Sequence, residues 1–218
     1  GHNKWACLVL ERLLRQNYEV VGVITETDAF DSSERQNYER FRKFGAYESL
    51  KDRALSMGLK VFQPDNINAE RTIEKLQNLA PDIVVMVSYH SLLKKNFLGA
   101  FKVINVHGAP LPKYRGRAPI NWAIINGENS TAVSVHHVIK KFDAGNIIAQ
   151  QEIPIYDKDR AIDVLLRSLP VYPGVTIEAL QKLEDDPEYG IPQNEEESTY
   201  FPRRTPKDGG INWEINGA

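Results

Sequence analysis

Asn105 and His107 stand two residues apart at the end of an apolar run, Ile104-Asn-Val-His, and a polar pair in that place needs a reason. Residues two apart in a strand project to one face. The amide and the imidazole therefore share a side at the strand's carboxyl end, where open α/β sheets bind their ligands. Downstream, the loop LPKYRGR brings Lys113, Arg115 and Arg117 close together, and Asp143 occupies the turn KKFDAG between two later strands. An Asn, a His and an Asp with no Ser or Cys in a nucleophile turn suit a reaction whose nucleophile arrives with the substrate, such as acyl transfer to an amine. The His would manage the proton, the Asp would fix its tautomer and raise its basicity, and the Asn amide would donate to the developing oxyanion. Each has a structural reading beside the chemical one: a satisfied His at a strand end, a solvated basic loop, an Asp bonding its own turn. Gly108 leaves room for a close approach next to the pair.

These side chains are only as well placed as the elements that carry them. Trp5, Leu8, Val9 and Leu13 fall at helical spacing and predict a helix over 4–16, followed by a β-branched strand over 18–25. Residues 26–44 read as a charged loop. Then come a helix over 46–57, a short strand in LKVFQ, and a helix over 69–79. The run DIVVMVS, 82–88, is apolar on both faces, as in a central parallel strand. A strand over 102–106, a helix over 119–126 opening on proline, and strands over 132–139 and 147–155 follow. A helical stretch over 161–183 is interrupted around Pro170 to Gly174. Alternation of this kind predicts an α/β fold, an open, mostly parallel, Rossmann-like twisted sheet with helices on both faces. No apolar strand precedes the first helix, so the first strand of such a sheet is expected to be missing from the chain. Gly1-His2-Asn3-Lys4 reads either as a plain helix start or as an anion site made of free backbone N–H groups.

Composition narrows the function. The chain has 218 residues, 42% hydrophobic and 26% charged, with a net charge of −2. That is one main globular domain with no general attraction to nucleic acid or to an anionic membrane. Cys7 is the only cysteine, which rules out an internal disulfide and points to a reducing compartment. No apolar run reaches about 18 residues and no secretion signal is visible, so the cytoplasm is the expected location. His136 and His137 project to opposite faces of a strand, and no metal site is expected.

Asn105-Val-His107-Gly108, the stretch LPKYRGRAPINWAIINGE from Leu111 to Glu128, and Asp143-Ala-Gly145 together resemble the signature of the 10-formyltetrahydrofolate-dependent formyltransferases. The order and separation match over about residues 80–150, and the wider resemblance extends to TYFPRRTPKDGGINW near the end. The wording RGRAPINWAIINGE is most similar to the sugar N-formyltransferases. The resemblance implies transfer of a formyl group from N10-formyltetrahydrofolate to the amino group of a nucleotide-linked (dTDP or UDP) amino sugar, for cell-surface glycans such as lipopolysaccharide. It implies that Asn105, His107 and Asp143 are catalytic. The pterin would lie against Ser91, Leu92 and Leu93 and against the loop Ile139, Lys140, Lys141, Phe142 and Asp143, with Arg117 nearby. The sugar nucleotide would enter beside Gly1, His2 and Lys4. A formyltransferase catalytic domain over 1–190 and a truncated carboxyl-terminal extension over 191–218 are expected, with a homodimer left open. Ala109-Pro110 departs from the family's usual Ser-Leu and puts the hydrogen bonding of that loop in question. Three rivals use the same residues. A methionyl-tRNA formyltransferase would need basic surfaces. A 10-formyltetrahydrofolate deformylase would release formate without an amine. A non-catalytic nucleotide-binding module would bind folate and turn nothing over.

Overall fold

The computed structural model describes residues 4–26 and 42–210. Helix α1, Lys4–Arg15, is present as the spacing predicts; it buries Trp5 and Val9 of the predicted set together with Ala6, Cys7 and Leu10, while Leu8 and Leu13 are partly buried. Burial pushes the Cys7 thiol up to about 12, so Cys7 is a core residue without thiolate chemistry. Strand β1, Val23–Ile24, pairs in parallel with β2, Val61–Phe62; between them helix α2, Leu50–Ser56, starts where the Ser49 side chain accepts the Asp52 N–H. Helix α3, Glu70–Gln77, strand β3, Val84–Val87, helix α4, Lys95–Ala100, and strand β4, Val103–His107, follow. The two-residue strand β5, Arg115–Gly116, leads into helix α5, Pro119–Ile125, which has its proline in the first turn where no N–H is missed. Strands β6, Ser130–His137, and β7, Ile147–Pro154, precede helices α6, Ala161–Ser168, and α7, Val171–Asp185, which part at Leu169-Pro170. Strand β8, Tyr200–Phe201, closes the series.

The main sheet has the order β3-β4-β6-β7. Its β3–β4 pair is parallel, and β6 and β7 add antiparallel strands at the other side. The expected α/β architecture is therefore present, with parallel pairs at β1–β2, β3–β4 and β5–β8. On one side of the sheet Ile104, Val106, Val133, Val135 and Ile148 pack with Trp5 and Val9 of α1 and with Val175, Ala179 and Leu183 of α7. On the other, Val103 packs with Ile67, Ile73, Leu76 and Phe97. All five residues of β4 are buried, which makes it the rigid rail of the molecule.

One expectation shifts. Strand β3 is apolar on both faces, yet it ends the four-stranded sheet, because apolar faces report the layers above and below a strand and say nothing of its edges. Among the described residues its outer edge has no strand partner, and an apolar cavity of about 850 Å³ lies between it and β1, lined by residues 83–87 on one side, 20–24 on the other, and Ala6, Val9, Leu10 and Leu13 of α1. The strand expected over 18–25 is shortened to Val23–Ile24 for a related reason: among the described residues only Val61 and Phe62 offer it a ladder partner. Among the described residues no helix is long and apolar enough to cross a membrane.

Candidate active site

The site is assembled on β4. The antiparallel register sets Asn105 opposite His136 and His107 opposite Ser134, so the polar pair read from the sequence gains a third and a fourth polar neighbour from β6. The turn between β6 and β7 then brings in Asp143, with a left-handed φ of 49° that a short polar side chain tolerates. The chain closes tightly there: a Cβ on Gly145 would lie 1.9 Å from the His137 carbonyl oxygen.

Asp143 is the hub. Its Oδ2 accepts the Gly116 N–H at 2.8 Å and lies 3.8 Å from His107 Nε2, while its Oδ1 is 3.5 Å from both Asn105 Nδ2 and His136 Nε2. His107 Nε2 also faces the Tyr114 carbonyl at 3.1 Å. Two acceptors around Nε2 require the proton there and leave the lone pair on Nδ1. His136 has the opposite tautomer: Nδ1 faces the His137 carbonyl at 2.8 Å and must carry hydrogen, so Nε2 accepts from Asn105 Nδ2 at 3.2 Å. Asn105 thus spends one N–H on His136 and keeps the other on a long, weak contact to Asp143. That second N–H is the free donor of the site.

The electrostatics follow from burial and partners. Burial pushes His107 below the ordinary imidazole range and His136 adds to that, while the Asp143 charge and the Tyr114 carbonyl pull the other way. Burial alone would raise Asp143, but His136, His107 and the Gly116 N–H together hold its carboxyl well below the usual carboxylate range. With its proton on Nδ1, His136 donates to Asp143 only when cationic; in the neutral state the Gly116 N–H and the Asn105 amide hold the carboxylate. The resting site therefore pairs an ionised Asp with a neutral His.

The loop after β4 is locked from below. Ser134 Oγ donates to the Ala109 carbonyl at 2.5 Å and accepts from Leu111 N at 3.3 Å and Gln150 Nε2 at 2.7 Å, so side chains of β6 and β7 partner the backbone of the Ala109-Pro110 loop. The space beside Gly108 is filled by Tyr172, whose hydroxyl would sit 2.7 Å from a Cβ there. Tyr114, whose carbonyl orients His107, is fixed by its own ring. It stacks on Phe201 at 5.0 Å, and its hydroxyl donates to Glu128 at 2.6 Å.

The other expected residues fall into place unevenly. Of the basic residues, Lys113 and Arg117 are exposed, but Arg115 is buried and bonded to Gln193 and Glu195, which departs from a solvated loop. Ser91 donates to Glu26 at 3.3 Å. Burial would raise Glu26, yet its bonds to His90 outweigh that and hold it at about 2. The Leu92 carbonyl accepts from Asn68, its side chain is exposed, and Leu93 packs against the α3–α4 cluster. Ile139, Lys140 and Phe142 are exposed beside Asp143, an apolar ledge next to the buried polar hub. Lys141 reaches Glu195 at 2.5 Å. Lys4 opens α1 and its N–H donates to the Ala46 carbonyl at 3.3 Å; Gly1 and His2 lie outside the described residues. Among the described residues no group of three or more His, Cys, Asp or Glu side chains is set to hold a metal. The sequence reading missed His136 as a member of the site, and it gave no role to Glu195, whose exposed side chain reaches Arg115. The only available signal for His136 was the register of β6 on β4.

Comparison with known proteins follows the same line. A family model described as formyl transferase matches residues 1–180. The N-formyltransferase from Helicobacter canadensis, in complex with folinic acid and dTDP-3-aminofucose, matches with a TM-score of 0.72 and 26% identity over 99% of this chain and 72% of that one. WlaRD, a sugar 3N-formyltransferase solved in the presence of dTDP and 5-N-formyl-THF, gives 0.70 and 25% over 99% and 71%. The methionyl-tRNA formyltransferase from Clostridium thermocellum gives 0.58 and 19% over 89% and 77%.

Proposed function

The chain belongs to the formyl transferase family, and from that premise we propose that it carries a formyl group from N10-formyltetrahydrofolate to the amino group of a dTDP- or UDP-linked amino sugar, in the cytoplasm, for cell-surface glycan assembly. It is a formyl-transferring enzyme, and formyl-tetrahydrofolate is its co-substrate. The observation that carries the reading is the convergence of Asn105, His107 and Asp143 around one point at the carboxyl end of β4. A sugar acceptor is favoured over tRNA because both sugar-formyltransferase structures match 99% of the chain at 25% and 26% identity, whereas the tRNA enzyme matches less of it at 19%.

The geometry suggests how the residues divide the work. The sugar amine attacks the formyl carbon, and the spare Asn105 N–H turns from its long contact with Asp143 to the oxygen that gains charge. His107 takes the amine's proton at Nδ1. The resulting imidazolium is stabilised through Nε2 by the Asp143 carboxylate 3.8 Å away and by the Tyr114 carbonyl. His107 then returns that proton to N10 of the cofactor as the N10–carbon bond breaks, so tetrahydrofolate leaves neutral and the imidazole is restored. The exposed side chains of Leu92, Ile139 and Phe142, with Arg117, are the proposed surface for the pterin, Ser91, Leu93, Lys140 and Lys141 belong to the same two segments, and Lys4 is the proposed contact for the sugar nucleotide.

The test is a screen of dTDP- and UDP-linked amino sugars with 10-formyltetrahydrofolate, following release of tetrahydrofolate. Release that depends on an amino-sugar nucleotide is expected. Formate produced with no amine present would make the protein a deformylase, transfer confined to methionyl-tRNA would overturn the acceptor, and folate binding without any turnover would leave a binding module.

A further inference from the structure

Outside the span matched by the family model, Gln193 makes four hydrogen bonds, all of them converging near the site. Its Nε2 donates to the carbonyls of Asp143, at 2.8 Å, and Gly145, at 2.7 Å. Its Oε1 accepts from Arg115 Nε at 3.0 Å and Nη2 at 2.7 Å. The guanidinium has no acceptor, so the amide oxygen must face it and the amide nitrogen must face the turn. Arg115 is in turn held by Glu195, through Nη1 at 3.1 Å and Nη2 at 3.0 Å, and its side chain is 4% exposed. The next residue, Gly116, is the one whose N–H holds the Asp143 carboxylate. One bracket therefore grips Asp143 twice, by its side chain through β5 and by its backbone through Gln193.

Asp143 needs such a grip. A short polar side chain can adopt its left-handed φ of 49°, but the turn's own backbone bond, from the Ala144 N–H to the Lys141 carbonyl, is long at 3.4 Å. Without Gln193, the Asp143 and Gly145 carbonyls of a half-buried turn lose their partner and the turn can relax, carrying the carboxylate away from His107. Resting on the function proposed above, we infer that Gln193, oriented by Arg115, is a positioning residue that sets the distance between Asp143 and His107. The carboxyl segment is thereby a working part of the site.

The test compares Gln193→Met, which keeps the volume and loses the donors, with wild type and with Asp143→Asn. A displacement on the order of 1 Å costs up to about 100-fold, so kcat is expected to fall about 10- to 100-fold with KM for the amino sugar unchanged. The second reading is an NMR titration of the His107 ring. The groups facing it are Asp143 from the β6–β7 turn, His136 from β6 and the Tyr114 carbonyl. Loss of the carboxylate's pull moves its midpoint down, toward that of Asp143→Asn. Gln193→Glu, which strengthens the link to Arg115 but aims an oxygen at the two carbonyls, gives the same fall in kcat if the methionine variant does not fold. Wild-type kcat with an unmoved His107 midpoint overturns the inference, and so does a kcat loss that tracks melting temperature while the midpoint stays put. If the wild type transfers formyl to no acceptor, the function falls, and the titration alone still decides whether Gln193 sets the carboxylate's place.

Discussion

Two of the three sheets among the described residues, the four-stranded one and the β1–β2 pair, are built on opposite principles. In the four-stranded sheet every residue of β4 is buried, and the polar groups beside it are partnered by β6, by the β6–β7 turn and by the 193–201 segment. The β1–β2 pair has a ladder of two residues, and an apolar cavity of about 850 Å³ separates it from the edge of β3, which has no strand partner there among the described residues. Side chains lining a void forfeit the dispersion contacts that a packed neighbour would supply. On these grounds the polar region is expected to be the rigid one and the apolar region the loose one. Contact and satisfied hydrogen bonds confer rigidity here, and hydrophobicity alone does not.

The largest expected effect falls in the rigid region. Asn105→Ala removes the spare N–H without touching the core, and loss of an oxyanion donor costs about 10²–10³ in kcat. Steady-state turnover of the purified variant checks this, and a melting temperature near that of wild type shows that chemistry rather than folding was lost. Near-normal turnover takes Asn105 out of the mechanism.

Next comes the contrast itself. Amides of residues 22–25 and 60–62 are expected to exchange with solvent roughly 100-fold faster than those of 104–107 and 133–136, because opening the first pair breaks one short ladder and opening the second breaks the core. Native-state hydrogen exchange read residue by residue settles it. Equal protection in the two regions would mean that the cavity costs the β1–β2 pair nothing.

How much of this contrast the sequence holds depends on distance along the chain. Asn105 and His107 are legible because two residues in one strand share a face whatever the partner strand is. The helix break at Leu169-Pro170 is legible because proline acts locally. His136 is not, since its place opposite Asn105 is a property of register between strands 31 residues apart. Glu195 reads as one of three acidic residues in a loop until the fold sets it against Arg115, 80 positions earlier. The open edge of β3 was hidden for a different reason: a strand's own pattern records which faces are covered and carries no mark of an edge left bare. Asp143 is legible as a candidate in a tight turn, the resemblance adds a catalytic role, and only the structure attaches a distance to it.

A smaller effect separates the members of the rigid region. His136→Leu keeps the β6 backbone but leaves the first Asn105 N–H without its acceptor. The amide then turns toward Asp143 and its spare donor is lost part of the time. One hydrogen bond's worth of misplacement amounts to on the order of tenfold in kcat. If kcat does not change, Asn105 is held by the backbone of β4 alone and His136 is packing.

Acid narrows the difference between the two regions, and this is the smallest of the expected effects. His107 is depressed by burial, so between its folded value and the ordinary 6.5 the unfolded chain binds more protons, and stability falls as pH drops below about 6.5 and levels off beneath the folded value. Asp143 is depressed by its partners despite burial, so its contribution is present above the ordinary carboxylate range and is lost as pH falls through its lower folded value. Both signs agree: acid removes stability from the site sheet first at the His and then at the Asp, each by at most about 1.4 kcal/mol per pH unit. In the β1 region Glu26, held at about 2 by His90, gives up its share only at the acid extreme. Thermal melts from pH 8 to pH 4 are expected to show a decline beginning near pH 6.5 that His107→Asn removes, together with an acid limb of kcat/KM that lies below 6.5 because neutral His107 is the working form. A decline unchanged in His107→Asn would place the acid-sensitive group elsewhere, and the rigid sheet would then owe nothing of its stability to the state of its imidazole.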